Sequence, residues 1–512
     1  MLVVELNLEK FEYDVHSLVK AFYPVELVKV VTPETKGKNK EALDADRKII
    51  ITLEEGGGNI LIDGNAYEWQ YARQSAEQYA KQYTEQYTGQ CTEQYAGQYD
   101  GNDRIEAEKK YKERFKRFLY LTLMWHTGRE LPWGNLTGIR PTKIAYKLLE
   151  EGSTRDEIIT FMRKEHFVSE EKALLSVDIA GRERRLLEDV HWDNGYSLYI
   201  GIPFCPTTCL YCSFTSFPIG VYKDVVEQYI DCLIREMDYV AERFSGKILD
   251  SVYVGGGTPT TLTAGQLERL ITAVKDRFDL SGVKEFTVEA GRPDSITEDK
   301  LKVLYQQGIG RISINPQTMN QKTLQTIGRQ HTVEQFLSAY HLARETGFDD
   351  INMDIILGLP GEEEPEVRRT MDEITMLKPD SLTVHSLAVK RASRLSSWVM
   401  ENGLSALNNT DKTMEIAARG AQKLEMFPYY LYRQKNMSGN FENVGYARPG
   451  KEGLYNILIM EEKQTIAALG AGSITKLVLP DGRIERRDNV KDVRLYMERI
   501  EDMISRKEEL FG

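Results

Sequence analysis

After Asp193-Asn194-Gly195 the chain falls into a rhythm that leaves few folds open to it. Six short β-rich runs, at 197–202, 251–254, 285–288, 311–314, 350–356 and 381–384, alternate with amphipathic stretches near 222–244, 264–278, 298–307, 333–346 and 363–377. A strand that feeds a helix and then another strand crosses over and pairs in parallel, so the region reads as an α/β fold whose parallel sheet curls towards a barrel. Six strands are too few to close an eight-stranded barrel, and a partial (β/α)6 barrel with one open side is expected. Its chemistry belongs at the carboxyl ends of the strands, where the polar clusters of this sequence fall.

The rest of the 512 residues divides around that barrel. Residues 1–66 alternate apolar runs with polar breaks and read as a small α+β domain. Residues 67–104 hold a low-complexity tract in which Gln-Tyr pairs recur every four residues from Gln78-Tyr79 to Gln98-Tyr99, with Gln90-Cys91 in one slot. That period does not match a 3.6-residue turn, so the tract reads as a surface insertion, with an aromatic binding or oligomerisation arm as the alternative, and Cys91 as a variant slot of its repeat. Residues 105–192 read as a helical connector, 193–400 as the partial barrel, and 401–512 as a C-terminal α+β cap over the open side. In the cap the expected β runs are 455–459, 465–469 and 476–479, followed by a turn at Pro480-Asp481-Gly482-Arg483 and a final helix.

The formal charge of −12, from 66 Lys plus Arg against 78 Asp plus Glu, speaks against nucleic-acid or anionic-membrane partners. No window holds the roughly 18 uncharged apolar residues of a membrane helix. The first 20 residues carry Glu5, Glu9, Lys10, Glu12 and Asp14 where a signal peptide would be apolar, so a cytoplasmic location is expected.

Five cysteines occur in the whole chain and three of them, Cys205, Cys209 and Cys212, fall within eight residues directly after the first barrel strand. A disulfide framework does not produce that distribution. Cysteines also serve as small buried hydrophobes, which is the reading for Cys232 on its helix. Three on one loop with Pro206, Thr207 and Thr208 point instead to a soft metal centre. A structural zinc site takes four protein ligands, and no fourth Cys or His stands at a matching spacing. Three thiolates on a four-iron cluster leave one iron open to a second molecule.

The Cys-x3-Cys-x2-Cys spacing, with Tyr211 before the last cysteine, resembles the signature of the radical S-adenosylmethionine (radical SAM) superfamily. Gly255-Gly256-Gly257-Thr258-Pro259-Thr260, Glu289, Asn315-Pro316-Gln317, Gly328-Arg329-Gln330, Asp354 to Gly361 and Ala388 resemble its oxygen-independent coproporphyrinogen III oxidase branch, most closely the coproporphyrinogen dehydrogenase HemZ subgroup. The likeness runs from about 196 to 388 and more weakly to about 476. It implies a radical SAM barrel, a 4Fe-4S cluster held by Cys205, Cys209 and Cys212, and one or two molecules of S-adenosyl-L-methionine.

By the same resemblance, Gly256, Gly257 and Thr258 belong to the loop that holds the methionine amino group, Tyr199 touches the first S-adenosyl-L-methionine, and Tyr211 is a further cofactor-binding residue. Glu289 accepts from ribose hydroxyls or an ammonium. Gln317, Arg329 and Asp354 match positions that contact a second molecule, with Ala388 beside them, and Arg329 offers a fork suited to a carboxylate. Tyr211, Glu289 and Arg329 are the expected catalytic residues. Each has a plainer alternative: a core aromatic, a solvated strand-end charge, a tight turn, a helix-end cation.

The implied activity is that of a radical SAM oxidoreductase of porphyrin and haem biosynthesis. Hydrogen removal by a 5′-deoxyadenosyl radical from the β carbon of a coproporphyrinogen III propionate, with loss of carbon dioxide and transfer of one electron to an acceptor, leaves a vinyl group, and two rounds give protoporphyrinogen IX. The implied partners are this tetrapyrrole and a reduced flavodoxin or ferredoxin-type electron donor. Lys390, Arg391, Arg394, Arg433 and Lys435 are candidates for meeting its carboxylates. The family's decarboxylases carry a further cysteine two places after the third ligand, where this chain has Phe214. Relatives without it include haem chaperones and tetrapyrrole methyltransferases, which stand as alternatives. The chaperones' His-Asn and Tyr-Trp motif has no counterpart here beyond Tyr432-Arg433-Gln434-Lys435-Asn436.

Overall fold

A computed structural model describes residues 1–24, 26–35, 47–54, 57–70, 103–214, 216–390, 393–403, 406–434 and 441–512. The Gln-Tyr repeat with Cys91, and the candidate cations Arg391 and Lys435, lie outside the described residues. The chain divides into two compact units, residues 1–138 with 155–174, and residues 139–154 with 175–512.

In the first unit, strands Leu2–Leu6 (β1), Val28–Val31 (β2), Arg47–Glu54 (β3), Gly57–Ile62 (β4) and Asn65–Gln70 (β5) form one sheet in the order β2-β1-β3-β4-β5. β1 is parallel to β2 and β3, and β3, β4 and β5 run as an antiparallel meander. The strict alternation in β3 buries Ile49, Ile51 and Leu53 on one face. Helices Glu12–Phe22 (α1) and Asp103–Thr127 (α2) supply the other half of this core, where Phe11 meets Phe115 at 5.3 Å and Trp69 stacks on Phe118 at 6.0 Å. The stretch 105–192 is therefore shared out: α2 and Arg155–His166 belong to the first unit, Thr142–Glu150 to the second, and Glu170–Leu186 passes from one to the other.

The second unit carries the β/α alternation expected from the sequence. In chain order its elements are Thr142–Glu150 (α3), Glu170–Leu186 (α4, shared), Gly195–Ile202 (β6), Val226–Arg243 (α5), Ile248–Gly256 (β7), Ala264–Arg277 (α6), Glu285–Glu289 (β8), Glu298–Gln306 (α7), Arg311–Ser313 (β9), Val333–Thr346 (α8), Ile351–Leu357 (β10), Glu364–Leu377 (α9) and Ser381–Ser386 (β11). β6 to β11 lie side by side in that order, all parallel. The helices start where the sequence caps them: Thr263 with Gln266 and Thr332 with Gln335 form reciprocal capping boxes on α6 and α8. α5 buries Val226, Tyr229, Ile230, Leu233, Met237 and Val240 at helical spacing, each such side chain contributing about 1.5–3 kcal/mol.

Residues 401–512, expected as a cap, add strands to both edges of this sheet. Phe427–Tyr432 (β12) and Asn443–Ala447 (β13) join antiparallel beside β11. Thr465–Leu469 (β14) joins parallel beside β6, and Ile474–Val478 (β15) and Ile484–Asp488 (β16) continue antiparallel from it. The result is an open eleven-stranded sheet, β12-β13-β11-β10-β9-β8-β7-β6-β14-β15-β16.

One element differs from expectation. The run 455–459 is not a strand but part of a helix, Leu454–Glu461. Leu454, Tyr455, Ile457 and Leu458 are all buried, and a short continuous apolar run fits a fully enclosed helix as well as a core strand. The helix is fixed at its start by the Glu285 carboxylate, which accepts from the Tyr455 N–H at 3.2 Å, and at its end by Glu462 in a left-handed conformation. No helix among the described residues is long and apolar enough to cross a membrane.

Candidate active site

The strands of the parallel sheet are buried almost throughout, yet one residue near the carboxyl end of each of several strands is only half-buried: Tyr199, Tyr253, Glu289, Asp354 and His385, with Tyr432 on β12. These side chains form two contact groups, one around Tyr253 and one around His385, linked by the charge of Asp354 acting on Glu289. The rings of Tyr199 and Tyr253 stack at 6.3 Å, and Tyr455 stacks on Tyr253 at 4.5 Å. The Tyr253 hydroxyl donates to Glu289 Oε1 at 2.6 Å. Burial, reinforced by the Asp354 charge, pushes the Glu289 carboxyl up to about 7 against the hydrogen bonds from Tyr253 and Gly256.

Asp354 is held from three sides. Asn315 Nδ2 donates to it at 2.9 Å, Asn352 Nδ2 at 2.8 Å, and His385 Nε2 stands at 3.7 Å. Burial alone would raise this carboxyl, but the hydrogen bonds and the charge of His385, with help from Asn352 and Thr383, keep it below the usual range. Gln317 adopts φ 65°, pinned by a bond from its N–H to the Asp354 carbonyl at 3.0 Å and from the Ile356 N–H to its own carbonyl at 2.9 Å. Its Oε1 is buried without a hydrogen-bond partner.

The cysteine loop leaves β6 through Pro203 and Phe204. Its backbone is fastened on two sides: Leu210 donates to the Ile327 carbonyl and accepts from the Leu395 N–H, both at 2.9 Å. Leu210 and Tyr211 pack against a small apolar cluster of Leu324, Ile327, Ile356, Leu359, Leu387, Leu395 and Leu407. The glycine loop lies directly behind. A Cβ on Gly257 would stand 2.6 Å from the Phe204 carbonyl, and Gly256 has φ 107°, so only glycine lets the two loops touch. Thr258 Oγ1 donates to Cys205 Sγ at 3.4 Å. Arg292 Nη1 donates to Cys209 Sγ at 3.4 Å.

Burial pushes the Cys205 thiol up to about 11 and raises that of Cys212. Among the described residues no three His, Cys, Asp or Glu side chains already stand as an ion-binding set. The loop nonetheless fits an iron-sulfur cluster in its donor chemistry: three soft sulfurs, no competing carboxylate among them, and hydroxyl and guanidinium donors already aimed at two of them.

Of the sequence-predicted residues, Tyr199 and Glu289 meet through Tyr253, the Gly256 backbone bonds Glu289, and Cys205 meets Thr258. Arg329 spends much of its fork on backbone: Nη1 donates to the Asn315 carbonyl at 2.6 Å, and Nη1 and Nη2 to Gly291 at 3.3 and 3.2 Å, leaving buried Nε unpartnered. It also lowers the Tyr211 hydroxyl against a larger upward push from burial. Ala388 is buried just beyond β11. Among the candidate cations, the Lys390 ammonium lies 5.5 Å from the ring of Phe214, which is 70% exposed, and Arg394 donates to the Thr208 carbonyl. Arg394 also lines a cavity of about 450 Å³ with Pro206, Thr207, Thr208, Pro218, Gly328 and Gln330. Arg433 is buried, its N–H on the Ile139 carbonyl at 2.7 Å. Cys232 is buried on α5, donating to the Met497 carbonyl at 3.8 Å.

Sequence reasoning passed over Tyr253, Arg292, Asn315 as a ligand of Asp354, His385, Tyr432 and Tyr455. Tyr253 had a signal: it stands two places before Gly255 on the same strand, so it shares that glycine's face.

Comparison with known proteins bears on the same residues. A family model described as the Radical SAM superfamily matches residues 199–374. The chain is 42% identical over 408 residues, 78% of its length and 81% of the relative's, to the oxygen-independent coproporphyrinogen-III oxidase-like protein HemZ of Bacillus subtilis strain 168. It is 32% identical over 278 residues, 54% of its length and 68% of the relative's, to the heme chaperone HemW of Lactococcus lactis. Among solved structures, coproporphyrinogen III oxidase (HemN) from Escherichia coli aligns with a TM-score of 0.49 at 21% identity, over 62% of this chain and 72% of that one.

Proposed function

The chain belongs to the radical SAM superfamily, in the branch of the coproporphyrinogen-III oxidase-like protein HemZ, and from that premise we propose that it converts coproporphyrinogen III propionates to vinyl groups without oxygen. The observation that carries the reading is the common position of the parts. The three-thiol loop, the glycine loop and the half-buried row Tyr199, Tyr253, Glu289, Asp354 and His385 all stand at or near the carboxyl ends of adjacent parallel strands.

In this reading Cys205, Cys209 and Cys212 hold a 4Fe-4S cluster, and cluster and S-adenosyl-L-methionine together supply a radical able to take hydrogen from an unactivated carbon. The chain's own residues position and shield. Gly256 and Gly257 let the cofactor's backbone-binding end approach, and Glu289 takes its ribose or ammonium donors, with the Tyr253 hydroxyl as the fixed second partner of that carboxylate. Gln317 Oε1 and Arg329 Nε, buried and unpartnered, and the carboxylate of Asp354 are the groups offered to a second molecule. Lys390 and Arg394 stand on the cysteine-loop side for substrate carboxylates. A flavodoxin or ferredoxin-type protein provides the electron.

The test is anaerobic reconstitution with iron and sulfide, then S-adenosyl-L-methionine, a reductant and coproporphyrinogen III, followed by mass spectrometry. Loss of two formic-acid equivalents from the tetrapyrrole, in step with 5′-deoxyadenosine, is the expected result. Absence of both sinks the reading. Phe214 in place of a further cysteine, and the likeness to HemW, favour haem delivery as the second reading. It predicts stable haem binding with no substrate-dependent cofactor cleavage.

A pH dependence follows from Glu289. Its carboxyl, raised from 4.5 to about 7, must be ionised to accept from the cofactor. S-adenosyl-L-methionine affinity should therefore fall about tenfold for each pH unit below 7 and level off above it. The native state holds the extra proton between pH 4.5 and 7, so the stability of the cofactor-free protein should fall as pH rises through that window. Anaerobic calorimetry on Glu289→Gln should find both dependences gone; a wild-type affinity flat from pH 6 to 8 would remove Glu289 from the site.

A further inference from the structure

Among the described residues, Arg292 is the one guanidinium that donates to a cysteine of the loop, and its setting is fully built. It follows the loop after β8, is 4% exposed, and Pro293 restricts the backbone behind it. Its donors are distributed without redundancy. Nε and Nη2 grip Asp294 at 2.9 and 2.7 Å, Nη2 also reaches Thr207 Oγ1 at 3.1 Å, and Nη1 divides between the Thr207 carbonyl at 3.2 Å and Cys209 Sγ at 3.4 Å. The pair with Asp294 is two-pronged, which fixes the plane of the guanidinium and so the direction of Nη1. The carboxylate stands on the far side, so the positive end of the pair faces the sulfur. Cys205 receives its hydrogen bond from a neutral hydroxyl, that of Thr258, and feels the Arg292 charge only as a lesser effect.

We propose that Arg292 is a positioning residue for the cluster: it holds Cys209 in its ligand place and, through its charge and its N–H to that sulfur, raises the cluster's reduction potential. The inference rests on the cluster reading of the loop given above. Its physical basis is that one-electron reduction adds negative charge to the iron-sulfur core, and that charge is stabilised by a hydrogen bond to a ligating sulfur and by a cation beside it. Burial keeps the solvent from screening either effect. Lysine cannot take over, because a point charge on a flexible stem cannot serve Asp294, Thr207 and Cys209 together.

The experiment is a redox titration of the reconstituted protein, followed by electron paramagnetic resonance, with dithionite supplying the electron and no substrate present. Arg292→Gln combined with Asp294→Asn removes both charges and leaves no buried ion unpaired. It should lower the reduced-to-oxidised ratio at a fixed potential at least tenfold, a shift of about 59 mV for a one-electron couple. Asp294→Asn alone keeps the guanidinium and removes its counter-charge, so its potential should move the other way, upward. A double variant with full iron content and an unchanged potential overturns the proposal, as does a downward shift in Asp294→Asn. If the double variant keeps the wild-type circular dichroism and melting curve but takes up no iron, the positioning role is supported and the sign of the Asp294→Asn shift decides the electrostatic one. A wild-type protein that takes up no iron defeats the cluster reading itself, a result distinct from any of these.

Discussion

Replacing Cys209 with alanine should abolish the visible absorbance of the reconstituted protein completely. Two thiols remain on the loop, and a 4Fe-4S cluster is not retained by two. Nor can the other described cysteine take the vacant place. Cys232 is buried on α5 with its thiol on the Met497 carbonyl at 3.8 Å. The loop itself cannot slide to offer another donor, because Leu210 is bonded to both Ile327 and Leu395, and Thr207 Oγ1 donates to the Gly328 carbonyl at 3.3 Å. Cys232→Ala is the matched control and should keep wild-type absorbance and iron content. Absorbance that survives in Cys209→Ala would end the metal assignment.

Much of this site is legible in the sequence alone, because its parts are local. Three cysteines in eight residues need no knowledge of register, and neither do three successive glycines after a β run. The six-strand parallel core was legible for a related reason: the change from a period of two to one of 3.6 repeats too regularly to be read otherwise. What stayed hidden depends on pairing across strands. Tyr253 matters because register sets it opposite Tyr199, and His385 because it lies one strand from Asp354 and within 3.4 Å of the Tyr432 hydroxyl on β12. Arg292 is an arginine beside a proline until the fold sets it behind Cys209. The C-terminal strands were recognisable as strands, but the edge each would join was not. The helix Leu454–Glu461 was misread because enclosure on all sides erases the periodicity that separates a helix from a strand.

Lys507 should prove the costliest single truncation outside the site. It is 1% exposed on the last helix, Ile500–Phe511, and its ammonium meets Glu236 Oε1 at 2.5 Å and Asn489 Oδ1 at 2.9 Å. Glu236, fully buried on α5, accepts three further bonds: from Asn489 Nδ2 at 2.7 Å, the Gly470 N–H at 2.8 Å and the Tyr496 hydroxyl at 2.7 Å. One carboxylate thus ties together α5, the turn after β14, the segment after β16 and the C-terminal helices. Lys507→Met removes the one cation that, among the described residues, pairs with it and leaves a buried carboxylate with neutral donors alone, a loss of about 3–5 kcal/mol. Glu236→Gln in the same chain removes the stranded charge while keeping an acceptor for Gly470 or Tyr496, so the double variant should recover at least about 1 kcal/mol over Lys507→Met. Urea denaturation of the four proteins in the cycle measures this directly, and a Lys507→Met loss below about 0.5 kcal/mol would show that the network contributes nothing net. The consequence reaches the active site through one residue: Tyr229, on the same helix as Glu236, accepts from the Ala471 N–H at 3.0 Å and donates to the Gly201 carbonyl at 2.7 Å. Gly201 pairs with Gly255, the first of the three glycines, so loosening the C-terminal helix should also loosen the loop on which cofactor binding depends.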